Sequence, residues 1–123
     1  MKAIKLVTTK IEIPFLDKDG KEALKLYFDR SDENVERLEA SFDGLKERAE
    51  KQQNSKEEES LASTREFLKD TTDSMLGEGS FDLIYELTPS LHIIAVYLYQ
   101  IAIGIKEELE SEQLEALEEK YLS

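Results

Sequence analysis

Few residues in this chain are of a type and spacing that could do chemistry. His92 is the single histidine. A helical metal pair would place a second ligand one turn away, yet position 96 is valine and Glu86 lies six positions upstream, so His92 reads as a helix-start residue. Asp17 and Asp19 open like a calcium loop, but the glycine at position 20 comes too soon. Position 28, where the bidentate glutamate belongs, is phenylalanine. The stretch LGEGS, residues 76–80, suggests a phosphate loop until its context is weighed. Such loops follow a strand and carry a lysine, whereas these glycines follow a helical pattern and enclose Glu78. No serine lies in a nucleophile-elbow context. With no cysteine there is no thiol nucleophile, disulfide or Cys-based zinc site. The many carboxylates are spread over solvated faces. The expectation is therefore no enzyme, no catalytic residue, no cofactor and no metal.

What remains is surface. The 123 residues fit one domain (1–123), large enough to bury roughly two-thirds of its unfolded surface. Its parts are a hairpin region (1–30), a helical region (31–110) and an acidic amphipathic tail (111–123). The 28 acidic residues outnumber 16 basic ones for a net charge of −12, which repels nucleic acid and anionic membranes. The start MKAIKLVTTKIEIPF lacks the apolar run of about 7–15 residues that a signal peptide needs. The most apolar segment, 91–105, is shorter than the ~20 residues that span a bilayer. A cytoplasmic location is expected.

The elements that position this surface change period along the chain. Ile11, Ile13 and Phe15 alternate with polar neighbours, as do Leu24, Leu26 and Phe28, and DKDG lies between: a β-hairpin. A further short strand is expected at 3–8, with a bulge near Thr8 and Thr9 to reconcile its parity. Pro14 marks an edge or a bulge. From Ser31 the spacing becomes three and four. Val35, Leu38, Phe42, Leu45 and Ala49 predict helix one, and Gly44 marks a possible kink. EKQQNSKEEES, 50–60, reads as a solvated linker. Ser55 with Glu58 forms a capping box for helix two, whose inner face is Leu61, Leu68, Thr72, Met75 and Leu76. Gly77 stops that helix; Gly79 leads into Ser80 as N-cap of a short third helix presenting Phe81, Ile84 and Tyr85. Thr88 then caps helix four with Pro89 in its first position. The fold expected is α+β, mainly α: an N-terminal hairpin followed by about four helices in a small bundle.

Helix four carries Leu91, Ile94, Leu98, Ile101, Ile105 and Leu109 on one stripe, yet Ile93, Ala95, Val96, Tyr97, Ala102 and Ile103 make it apolar nearly all round. Helices one to three offer narrow stripes to cover it, so self-association is expected. The candidate partner or oligomer interface is Leu91, Ile94, Tyr97, Leu98, Ile101 and Ile105, with Phe81 and Tyr85 beside it. Whether 106–123 extends the helix or frays is left open by the sequence.

This order of features, with the motif Asp73, Leu76, Gly77, Glu78, Gly79, Ile84 and Tyr85 before the apolar helix LHIIAVYLYQIAIGI, resembles the tail assembly chaperones of long-tailed (siphovirus-type) bacteriophages of Gram-positive bacteria. The resemblance covers roughly residues 10–110; the last dozen residues match nothing in it. It implies a non-enzymatic protein that coats and solubilises the tape measure protein, helps recruit tail tube subunits, and is absent from the mature virion. It also implies self-association into rings or spirals, and in many members a longer form made by ribosomal frameshifting. The competing class is a small acidic inhibitor or regulator that imitates DNA. That class needs carboxylates arrayed on one face, whereas these are scattered along every helix.

Overall fold

The computed structural model describes residues 1–6, 8–54 and 60–122, with side chains for all of these except 52–54 and 112–122. Two strands, β1 (Lys10–Leu16) and β2 (Glu22–Asp29), precede four helices: α1 (Asp32–Asn54), α2 (Leu61–Leu76), α3 (Ser80–Leu87) and α4 (Leu91–Leu122). The protein is mainly helical, with an N-terminal antiparallel hairpin, as its two hydrophobic periods predict.

The hairpin register follows from side-chain alternation. Ile11 pairs with Phe28, Ile13 with Leu26 and Phe15 with Leu24, so one face is wholly apolar. A slip of one residue would turn all six outward, which is why the register is strongly specified. Asp17 organises the turn: its Oδ1 accepts the N–H groups of Asp19 and Lys21 at 2.9 and 3.0 Å. That is turn chemistry, not calcium chemistry. Pro14 lies in an edge strand, and the register irregularity falls at Phe15 and Leu16. Lys25, opposite Pro14, reaches Glu22 at 3.3 Å and Glu12 at 3.7 Å. The hydrogen bond to Glu22 and the field of both carboxylates raise its pKa above the usual lysine value.

Two core clusters hold the layers together. In one, Ile11 and Phe28 of the hairpin meet Leu38 and Phe42 of α1, Met75 of α2 and Ala102 and Ile105 of α4. In the other, Leu26, Leu45 and Leu68 pack with Phe81 and Ile84 of α3 and Ile94 and Leu98 of α4. Each large apolar side chain buried this way contributes about 1.5–3 kcal/mol. Thr72, fully buried, satisfies its hydroxyl by donating to the Leu68 carbonyl at 2.6 Å.

Several expectations are corrected. Residues 3–6 and Thr8 form no strand; Ile4 and Leu6 are exposed, and the backbone of Thr8 and Thr9 is instead held by Arg30, through its guanidinium and its N–H. Helix α1 runs unbroken through Gly44 to Asn54, so the expected linker is helical over its first five positions. Polar residues such as Gln and Lys are good helix formers and need no apolar stripe to extend a helix already nucleated. Ser55 lies outside the described residues. The observed N-cap of α2 is Ser60, whose hydroxyl accepts from the Ser63 N–H at 3.1 Å. Leu61, expected on the inner face, is exposed, and Thr71 is buried in its stead.

Candidate functional site

The α2–α3 elbow is built from the glycine pair and one carboxylate. Gly77 (φ +106) ends α2 by donating its N–H to the Asp73 carbonyl, and Gly79 takes the left-handed conformation (φ +89). Ser80 is not the N-cap; Gly79 occupies that position. Ser80 is buried in the first turn of α3 and donates its hydroxyl to the Leu76 carbonyl at 3.1 Å. The capping function passes to Asp73, whose Oδ1 accepts the Phe81 N–H at 3.0 Å. Lys69 then bridges to Asp82 at 3.2 Å, tying the two helices outside the elbow. With the Asp73 carboxylate already on the Phe81 amide, the start of α3 disfavours an anion such as phosphate.

The α3–α4 junction is also corrected. Thr88 closes α3, donating its N–H to the Ile84 carbonyl, and does not cap α4. Ser90 is the cap: its carbonyl accepts from Ile94 and its hydroxyl from Ile93. Pro89 stands one residue before that cap, outside the helix. A proline biases the preceding residue away from helical backbone, and Thr88 is non-helical (φ −134, ψ 86), so the helix starts later.

The candidate interface residues divide. Phe81, Ile94, Leu98 and Ile105 are buried by the chain's own packing, so their apolar surface is spent inside the core, which corrects their placement on a partner surface. Tyr85, Leu91, Tyr97 and Ile101 are half-buried and keep an accessible edge. Tyr97 meets Phe15 edge to face at 6.1 Å, and Tyr85 stacks on Phe81 at 5.6 Å.

The side chains that α4 turns outward are different ones. Ile93, Val96 and Ile103 are 42%, 44% and 45% exposed. Their spacing of three and seven puts them on one face, flanked by Tyr97. On α3, Leu83 and Leu87 are likewise exposed and lie one turn apart. Leu87 and Tyr97 line a common hollow with Phe15 and Leu16 of the hairpin. Ile93 is one turn from Tyr97, so apolar surface continues from β1 across α3 onto α4. The sequence marks these α4 residues as apolar without assigning them to the surface. The signal present was the all-round apolar character of the helix.

Elsewhere the site carries little chemistry. Among the described residues no group of three His, Cys, Asp or Glu side chains is placed to hold a metal ion. His92 is exposed at the start of α4. Tyr99 has its pKa raised, by partial burial first and by the nearby Glu50 carboxylate second. No described helix is long and apolar enough to cross a membrane. No family model matches this chain, and no curated protein or solved structure matches it significantly.

Proposed function

We propose that the protein is a non-enzymatic binding protein that shields apolar segments of a client polypeptide and keeps the complex dissolved. The observation that carries this reading is the exposed apolar surface of Leu83, Leu87, Ile93, Val96 and Ile103 on a chain of net charge −12. Large apolar side chains left exposed together are the surface expected of a protein-binding site. Excess charge of one sign keeps such a complex soluble.

Within that class the motif resemblance selects one role: a phage tail assembly chaperone. In this reading the client is the tape measure protein, tail tube subunits are recruited to the complex, and the work is done in the cytoplasm of the infected bacterium before the chaperone leaves. The test is co-expression with the tape measure protein encoded beside it. The native chain should move that protein from the pellet to the soluble fraction, and Ile93→Glu with Val96→Glu should abolish the rescue while circular dichroism stays native. A client that remains insoluble with the native chain overturns the chaperone reading. A double variant that rescues as well as the native chain removes this face from it.

A further inference from the structure

The exposed side chains of α4 follow a coiled-coil spacing. Ile93, Val96, Gln100, Ile103, Glu107 and Glu110 succeed one another by three, four, three, four and three positions, and all six are exposed. That alternation is the seam of a heptad, the pattern by which one helix seats the side chains of another. Leu98 and Ile105 take the heptad position opposite the seam, and both are buried in the core. The seam therefore faces away from the chain's own packing.

The seam changes character along its length. From Ile93 to Ile103, about 15 Å of helix, it is apolar except at Gln100; over the next ~10 Å it offers Glu107 and Glu110. Lys106 is the only lysine or arginine from 91 to 111, and it turns inward: it is half-buried, with its ammonium 4.6 Å from the centre of the Phe42 ring. A second copy is a poor occupant of such a face. Two copies in parallel register would set Glu107 on Glu107 and Glu110 on Glu110. In antiparallel register Ile93 would meet Glu110 and Val96 would meet Glu107. The first arrangement opposes like charges, and the second presses carboxylates onto apolar side chains.

We propose that this seam receives a helix of a different protein, apolar where it meets Ile93 to Ile103 and basic where it meets Glu107 and Glu110. That helix is the client segment, so the inference rests on the function proposed above and adds the segment's chemistry. The segment carries a heptad stripe of apolar residues with lysine or arginine at one end of it. Burial of the stripe supplies affinity, and the charge at one end selects the segment and its register.

Fluorescence anisotropy on the full chain tests it, with labelled peptides of about three heptads as probes. One peptide carries leucine along the seam of two heptads and lysine at the seam of the third. A second has the heptads in reverse order, and each has a counterpart with glutamate in place of the lysines. At least one lysine peptide should bind at least tenfold tighter than its glutamate counterpart, and added salt should narrow that gap because the charges are screened. Glu107→Lys with Glu110→Lys should reverse the preference with native circular dichroism. Glu36→Lys with Glu39→Lys makes the same change of net charge at exposed positions of α1 and should not reverse it. Equal binding of lysine and glutamate peptides, binding of neither, or a reversal produced as well by the α1 variant each overturn the inference. Co-expression separates its failure from that of the chaperone reading. A Glu107→Lys, Glu110→Lys chain that rescues the client as fully as the native chain overturns the charge match and leaves the chaperone role standing. A native chain that prefers a lysine peptide yet rescues nothing supports the seam and overturns the chaperone role.

Discussion

The Asp73 carboxylate near the end of α2 accepts the backbone N–H of Phe81 in the first turn of α3, at 3.0 Å. The two lie eight positions apart, and between them run both glycines of the elbow. One side chain thereby caps the following helix and fixes its direction, while the Asp73 carbonyl terminates the helix it belongs to. Phe81 is fully buried, so this bond also sets the depth at which α3 enters the core.

Removing that carboxylate should loosen the elbow. Asp73→Ala is expected to cost about 1 kcal/mol, as for other lost N-caps, and Asp73→Asn less because it keeps an acceptor oxygen. Urea denaturation of the three proteins should show ordered midpoints: native, then Asn, then Ala.

Gly77 and Gly104 should respond to alanine with opposite signs. A Cβ at either position meets nothing within 4 Å, so sterics with neighbours do not decide the outcome. At Gly77 the backbone has φ +106, and Gly77→Ala should destabilise by about 1–2 kcal/mol. Gly104 is exposed inside α4, and Gly104→Ala should stabilise by up to about 1 kcal/mol through helix propensity. Thermal melts of the two variants should move in opposite directions.

The division of α4 into an inner and an outer face is testable by paired truncation. Leu98 is fully buried, and Leu98→Ala should cost about 2–5 kcal/mol. Val96, two positions earlier and 44% exposed, should change stability by no more than about 0.5 kcal/mol when made alanine. Similar losses at both sites would show that the outer face is also packed.

Alkaline titration should report Tyr99. Its phenol is held neutral in the fold by burial and by Glu50, with a pKa raised above the ordinary 10.0. A raised value means that the unfolded chain ionises first. The stabilisation is therefore complete below pH 10.0 and is lost as pH rises through the folded value. Tyr99→Phe should flatten this part of the stability profile. Lys25 is raised in the same sense and loses its ion pairs in the same alkaline range, so Lys25→Gln serves as the control that separates the two.

Much of the fold was legible before any coordinate. The hairpin's pairs, Ile11 with Phe28 through Phe15 with Leu24, follow from alternation around one turn signal. Three of the four helices show a three-and-four spacing, and the glycine pair marked the elbow. Local signals ranked the caps less well. Ser80, Thr88 and Pro89 all carry cap-forming chemistry, yet Gly79 and Ser90 occupy the caps, because buried neighbours and the backbone preceding proline decide which residue turns. The half of the expected interface that proved to be core, Phe81, Ile94, Leu98 and Ile105, was ambiguous for a related reason. A helix apolar on every side does not state which side its neighbours cover.

The amino acids alone determined the periods, the register of the hairpin, the break at residues 76–80 and the excess of negative charge, because each is a property of neighbouring residues. Tertiary structure decided the rest. Packing of the hairpin, α1, α2 and α3 against α4 chose which apolar stripe to bury, leaving Ile93, Val96 and Ile103 outside. Burial is set by what the rest of the chain places over a residue, and no local spacing encodes that.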